Sequence, residues 1–383
     1  MTSLKGSTRA GRFLGGGQAR TFDPTPLRPE MLRPDPELGI LLSAADRAIG
    51  RLDGAAAILP NPDLFVAMYS RKEALLSSQI EGTQASLVDV LEQEAEPERP
   101  ARPDVQAVLN HQASLRHGVE RLSELPLSNR LLKEMHAVLM RGVRGSHGRV
   151  GEFRRTQNWI GPPGVTIEEA AFVPPDVPTM KHAMGDLERW LHEDTKTPIL
   201  LKCGLAHYQF ETIHPFEDGN GRLGRLLITL MLLEREVLAR PLLYLSVFFK
   251  RHREDYYGWL SRVRAEGDYE GWLKFFLRGV RDVSLEATDT ARRILVMKSE
   301  HLGLVQSGSA SRFAPALLEH LLESPTVTAN SAALRLGVTY PTANKLIAGF
   351  QELGLLREIT GRRRHRVFLY QPYIDQLGGR FEP

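Results

Sequence analysis

The chain has 383 residues, 42% of them hydrophobic and 25% charged, the mixture of a soluble globular protein of two or three domains with ample material for a core. Its longest mainly apolar runs, Leu226 to Leu233 and Pro241 to Phe249, fall far short of the ~20 residues that cross a bilayer, and the single cysteine, Cys203, excludes an internal disulfide or a thiolate zinc cluster. The net charge of +3 lies wholly in the last 72 residues, where nine Lys or Arg meet six Asp or Glu; the surplus argues neither for nor against nucleic acid, but says where to look.

Residues 1–36 hold Gly15, Gly16, Gly17 and five prolines from Pro24 to Pro36, which predicts a flexible arm without regular structure. No apolar run follows Met1, so no signal peptide is expected and the expected home is cytoplasmic. From Glu37 to about Glu94 apolar residues recur at helical spacing (Leu38, Leu41, Leu42, Ala45; then Leu64, Met68, Leu75, Leu76, Ile80), and Gly82 supplies a stop. Glu92 to Asp104, with three prolines, reads as a connector. Helical patterns resume at Val105–Leu122 and Ser128–Met140. Between Gly142 and Pro178 six glycines and five prolines accompany the short runs Asn158-Trp159-Ile160 and Ala171-Phe172-Val173, which predicts loop with a β-hairpin. Helices follow at Thr179–His192, Pro198–Thr212, Gly221 to about Val237, Arg253–Glu266 and Glu270–Val296. Ser307 to Ser311 has linker composition, and a separate module begins near Arg312. The expected units are an arm at 1–36, an N-terminal helical region at 37–104, a core at 105–285, a helix and linker at 286–311 and a last domain at 312–383.

One stretch carries chemistry: His214-Pro-Phe-Glu-Asp-Gly-Asn-Gly-Arg-Leu-Gly-Arg225, at the joint between two helices. Its three glycines spell G-x-G-x-x-G, but a helix rather than a strand precedes them, which argues against a dinucleotide fold. Gly219 and Gly221 remove the Cβ atoms that would hold a phosphate off the backbone, and the N–H groups of the new helix face the anion with the positive end of its dipole. Arg222 and Arg225 share one face of the first turn and suit phosphate oxygens. Asp218 is an oxygen ligand suited to Mg²⁺ on those phosphates, and His214 is a candidate base for an attacking hydroxyl. The bland alternative is a stabilised helix start with a solvated arginine pair and a core histidine.

His214 to Arg225 matches the motif H-x-F-x-[DE]-G-N-G-R-x-x-R at every specified position, and by it the chain resembles the Fic family, known for transferring AMP from ATP to a hydroxyl side chain of a target protein. The resemblance implies His214 as general base, Phe216 as anchor of the loop and Asp218 as Mg²⁺ ligand. It implies Gly219, Asn220 and Gly221 as the anion hole, with Arg222 and Arg225 on the β- and γ-phosphates of ATP. Ser77-Ser-Gln-Ile-Glu-Gly82 fits the family's inhibitory pattern [ST]-x-x-x-E-[GN], in which Ser77, Glu81 and Gly82 are the specified residues. Glu81 would then pair with Arg225 and take the place of the γ-phosphate; the alternative is a capped helix end with a surface glutamate. Gly151 to Gly161 and Phe172 to Pro175 resemble the flap on which a target segment adds as a strand, with Asn158, Trp159 and Ile160 at its edge. Tyr256 and Tyr257 are candidate contacts to the nucleotide base, or core packing. The implied fold is mainly α: a Fic-type helical core with a small β-hairpin flap, an N-terminal helical region with an inhibitory helix, and a C-terminal winged helix-turn-helix.

That last domain reads as three short helices (Leu317–Leu322, Ala329–Leu336, Pro341–Leu353), a strand at Val367–Tyr370 and a wing tip at Gly361-Arg-Arg-Arg-His-Arg366. Thr342 and Lys345 would start the recognition helix, with Arg362, Arg363, Arg364 and Arg366 near DNA phosphates; winged helices also serve as docking or dimerisation modules. The expected partners are a target protein, which includes the chain itself, a second copy in a homodimer, and DNA, with no membrane. Two rival functions stay open: a DNA-binding regulator whose core senses ATP, and removal of AMP from modified proteins.

Overall fold

In the computed structural model the described residues are 9–15, 20–59, 62–143, 149–162, 164–308 and 311–376. Strands β1 (Gly11–Leu14) and β2 (Thr21–Pro24) pair antiparallel with Phe13 opposite Phe22, so the arm is a hairpin rather than irregular chain. Core contacts override its composition: Phe22 is fully buried, its N–H donates to Val173 O at 3.1 Å, and Arg9 pairs with Glu270 at 2.7 Å. Residues 1–8 and 16–19 of the expected arm, with Gly16 and Gly17, lie outside the described residues.

Helix α1 (Pro36–Ala57) starts where Asp35 accepts the N–H of Leu38 and a proline fits the first turn. Its buried Leu38, Leu41, Ala45, Ile49 and Leu52 form one stripe, packed against a long later helix. Then come α2 (Pro62–Ile80), α3 (Leu87–Ala95, opened by a Ser86–Asp89 capping box), α4 (Pro103–Arg121) and α5 (Asn129–Leu139). Among its described residues the glycine- and proline-rich stretch shows one antiparallel bridge, Ile160 to Phe172, where a hairpin was expected; residues 144–148 and 163 lie outside them.

Helices α6 (Val177–Glu193), α7 (Ile199–Ile213) and α8 (Asn220–Glu234) follow, then α9 (Ser246–Arg251), α10 (Arg253–Glu266) and α11 (Tyr269–Gly308). Nearly every residue of α7 and α8 is buried, so these two helices form the centre and anchor both ends of the loop between them, whose Glu217 and Asp218 face solvent. Helix α11 runs 40 residues, through Ser307 and Gly308, where linker was expected. Buried Met297 and Val305 favour helix there; Ser309 and Ala310 lie outside the described residues.

The C-terminal domain holds α12 (Ala314–Glu323), β3 (Thr326–Val327), α13 (Ala329–Leu336), α14 (Tyr340–Glu352), β4 (Leu356–Glu358), β5 (Phe368–Tyr370) and α15 (Gln371–Gln376). Its sheet has the order β3-β5-β4, all antiparallel, and completes the winged helix with two strands and a helix that the sequence pattern did not reveal. The domain is seated on α11 through Lys298 to Glu319 at 2.8 Å, Arg293 Nε to Gln376 at 3.1 Å and His301 to the Tyr370 hydroxyl at 2.5 Å.

Candidate active site

The site is the loop between α7 and α8. His214 caps α7 in the left-handed region, φ +49°, which a non-glycine residue adopts only when its surroundings hold it there. Two side chains from the flap do so: Arg154 Nε donates to His214 O at 3.0 Å, and Asn158 Nδ2 donates to Phe216 O at 2.9 Å. Asn220 closes the loop from within, accepting the N–H of Phe216 at 2.9 Å and donating to Phe216 O at 2.8 Å. Phe216 itself is fully buried and stacks on His136, ring centroids 3.9 Å apart and 8° from parallel.

His136 is fixed in one tautomer. Its Nδ1 accepts the N–H of Gly151 at 2.9 Å, so the proton sits on Nε2 and is donated to Asp218 O at 3.0 Å. Burial holds its pKa down to about 4. His214 is only partly buried, yet desolvation also lowers its pKa to about 4, against the opposing pull of the Glu211 carbonyl and the Glu81 carboxylate. Its Nδ1 lies 3.3 Å from Glu211 O, and a proton donated there leaves the Nε2 lone pair free as a base.

Gly219 begins α8 at φ +79° with no side-chain cap, and a Cβ there would meet Met140 Sδ at 2.9 Å. The N–H groups of the first turn therefore stay open to an anion. Asn220 contributes only its backbone, because its side chain holds the loop. Arg222 is buried, its Nη2 3.3 Å from Met140 Sδ and its Nε without a partner. Arg225, also buried, donates Nε to Ser77 Oγ at 2.8 Å and Nη2 to Ser77 O at 2.9 Å and to Glu81 Oε1 at 2.8 Å. Desolvation is the largest influence and disfavours its charge, but Glu81, Tyr256, Glu211 and Tyr257 together outweigh it and raise its pKa above the ordinary value. The Glu81 carboxylate also lies directly against Gly221, in the space a Cβ would need. Gly82, at φ +99°, turns the chain away after it.

Asp218 is mostly exposed, 3.7 Å from Arg222. Among the described residues no cluster of three or more His, Cys, Asp or Glu could hold a metal. Asp218 Oδ1 accepts the Gly219 N–H at 2.5 Å, and one exposed carboxylate beside an anion hole is nonetheless a donor set that suits Mg²⁺ when phosphate oxygens and water complete its shell.

Residues 40–120 match the Fic/DOC family N-terminal region, residues 126–232 the Fic/DOC family and residues 314–368 an HTH DNA binding domain. The chain carries a Fic domain. A protein adenylyltransferase Fic from Culex quinquefasciatus is 32% identical over 146 residues, 38% of this chain and 26% of that protein. One from Drosophila grimshawi is 28% identical over 208 residues, 53% of this chain and 38% of that protein. The chain thus spans about a quarter to two fifths of the curated relatives it matches. A Fic family protein from Desulfovibrio desulfuricans G20 shares the fold over 88% of this chain and 97% of that one, with a TM-score of 0.57 and 23% identity. Residues 134–508 of Fic-1 from C. elegans share it over 69% of this chain and 75% of that one, with a TM-score of 0.50 and 21% identity.

Around this Fic site the expected residues sort themselves. His214, Asp218, Gly219, Gly221, Arg222, Arg225, Ser77 and Glu81 converge. Tyr256 does not: it is 1% exposed, stacked on Phe249, with its hydroxyl 2.8 Å from His207 Nε2, so core packing claims it. Tyr257 is 36% exposed, under Arg253, and remains open to a base. Asn158 holds the motif loop, Trp159 is 43% exposed with Nε1 on Val165 O, and Ile160 forms the bridge. His136, Arg154 and Glu211 had no sequence signal. Glu211 is buried with Oε1 unpartnered, and burial pushes its pKa up to about 7.

In the winged helix, Lys345, Arg363, Arg364 and Arg366 are exposed and Thr342 bonds Thr339 at 2.9 Å. Arg362 is not free for phosphate, being engaged by Glu92 and Glu96.

Proposed function

We propose that this chain is an auto-inhibited protein adenylyltransferase that moves AMP from ATP to the Ser, Thr or Tyr hydroxyl of a target protein. The observation that carries the reading is Glu81: its carboxylate bonds Arg225 and rests against Gly221, where a terminal phosphate oxygen would sit. The open N–H groups of α8, with Arg222 and Arg225, bind the polyphosphate and neutralise its charge. His214 Nε2 takes the proton of the target hydroxyl, whose oxygen bonds to the α-phosphorus as the bond to pyrophosphate breaks. Asp218 would hold Mg²⁺, which would supply positive charge to offset that of the phosphates. The flap edge at Ile160 supports a role in aligning the target segment.

The test is a pair of variants assayed with labelled ATP and Mg²⁺. Glu81→Gly frees both Arg225 and the volume at Gly221, so labelling rises at least tenfold, about 1.4 kcal/mol in barrier. Arg225→Ala removes the phosphate clamp along with the lock and gives no rise. Equal labelling by wild type and Glu81→Gly would sink the auto-inhibition.

The C-terminal domain is proposed as a duplex-DNA module. The match to an HTH DNA binding domain supports this, as do Arg363, Arg364 and Arg366 lining one groove with Tyr340 and Asn344 of α14.

A further inference from the structure

The wing tip and the segment that follows the inhibitory helix are joined by charge. Arg362 donates Nη1 to both carboxylate oxygens of Glu96 at 2.8 Å, and Nη2 to Glu92 at 2.8 Å. The side chains of all three are between 20% and 34% exposed, so water screens the cluster only in part. Glu92 and Glu96 stand one turn apart at the end of α3, and together they offer the guanidinium what a phosphate offers: anionic oxygens in the plane of its fork. Arg99, 3.2 Å from Glu92, is their other cation.

This contact borders the DNA face. The groove of about 670 Å³ beside the wing is lined by Ala95 and Glu96 together with Tyr340, Asn344, Arg363 and Arg364. A duplex carries one negative charge per ~1.7 Å of axis, so a backbone entering there gains the arginines but meets Glu92 and Glu96. Helix α3 is in turn tied to the lock. Only residues 82–86 separate it from Glu81, and that turn is braced by Gln79 Nε2 on Ala85 O at 2.9 Å and the Gln84 N–H on Asp104 at 2.8 Å.

We infer that duplex DNA and the acidic end of α3 compete for Arg362, so that DNA on the winged helix releases α3 and, through residues 82–86, loosens Glu81 from Arg225. The inference rests on both readings of the proposed function. Linkage makes it reciprocal: whatever withdraws Glu81 tightens DNA binding by the same factor.

The experiment uses the full chain, a random-sequence duplex and labelled ATP. Glu92→Gln/Glu96→Gln, a surface pair that leaves the core intact, binds the duplex severalfold more tightly than wild type, and its salt dependence steepens by about 0.9 as Arg362 gains a phosphate. Saturating duplex raises AMP labelling by wild type and leaves Glu81→Gly unchanged. Equal duplex affinity of wild type and the double variant overturns the competition while the DNA reading stands; no binding by either overturns the DNA reading with it. Tight binding without a rise in wild-type labelling, where Glu81→Gly labels strongly, overturns the link to Glu81 and spares the enzyme. Silence of Glu81→Gly as well overturns the enzyme reading.

Discussion

His214 sits in a backbone conformation that costs about 1 kcal/mol or more for a residue with a Cβ, and the chain sustains it by gripping its carbonyl with Arg154. What that expense provides is direction, because the left-handed turn ends α7 abruptly and puts the imidazole beside the N-terminus of α8. The ring's low pKa decides its working range. A free histidine would lose its base form as pH fell through 6.5; at about 4, His214 keeps it through mildly acid solution. The pH profile of AMP labelling by Glu81→Gly should therefore stay flat from pH 7 to 5 and fall only below about 4, because the Glu81 carboxylate that pulls the ring's pKa up is gone, and His214→Ala should abolish labelling while nucleotide still binds. An acid limb centred on 6.5 would mean that the ring is solvated in the working state.

At the scale of elements, the α7–α8 loop is fastened by α5 on one side and the flap on the other. His136 of α5 reads the loop twice, stacking on Phe216 and bonding Asp218 O. Its removal leaves the part-buried Asp218 carbonyl and Gly151 N–H without their partner, a loss of about 1 kcal/mol each at most. His136→Ala should lower the thermal midpoint and cut labelling by Glu81→Gly on the order of tenfold or more, since small displacements of a base are costly; an unchanged rate would show that Arg154 and Asn158 hold the loop alone. The motif from His214 to Arg225 was legible because its chemistry is packed into twelve consecutive residues; Glu81 was legible only through the resemblance to the pattern [ST]-x-x-x-E-[GN], since a glutamate and a glycine at a helix end are by themselves an ordinary stop. His136, Arg154 and Glu211 were not, because their roles depend on which helix or flap faces the loop, and one sequence records no such pairing. The β1–β2 hairpin was hidden for a similar reason: glycine and proline suggested irregular chain, while Phe22 finds its burial against Phe172, 150 residues away. The extra turns of α11 likewise draw their stability from contacts with the C-terminal domain rather than from the Ser-Gly-Ser composition at their end.

Over the whole molecule, burial sets the response to acid. His111, His136, His207 and His214 all have folded pKa values below 6.5, chiefly through desolvation. The unfolded chain gains their protons as pH drops past 6.5 and the fold does not, so each withdraws up to about 1.4 kcal/mol per pH unit between 6.5 and its folded value. Glu211, pushed up to about 7, and Glu73, also raised by burial, act in the opposite sense, because the fold holds a proton that the unfolded chain releases above about 4.5. His301 and His320 are lowered by burial as well and Asp46 is raised by it. With six histidines against three carboxyls among the described residues, the thermal midpoint should be lower at pH 5 than at pH 7; a higher midpoint at pH 5 would reverse that balance. The other whole-molecule property is the unbroken α11. A continuous helix converts length into angle: one residue added or lost in its exposed stretch at Ser299 and Glu300 would turn everything beyond by about 100° and slide it about 1.5 Å. Arg362 would then swing away from Glu92 and Glu96 although no residue of either partner had changed. The orientation of the winged helix on the Fic domain is therefore stored as helical phase, a quantity that a substitution leaves alone and a single-residue deletion erases.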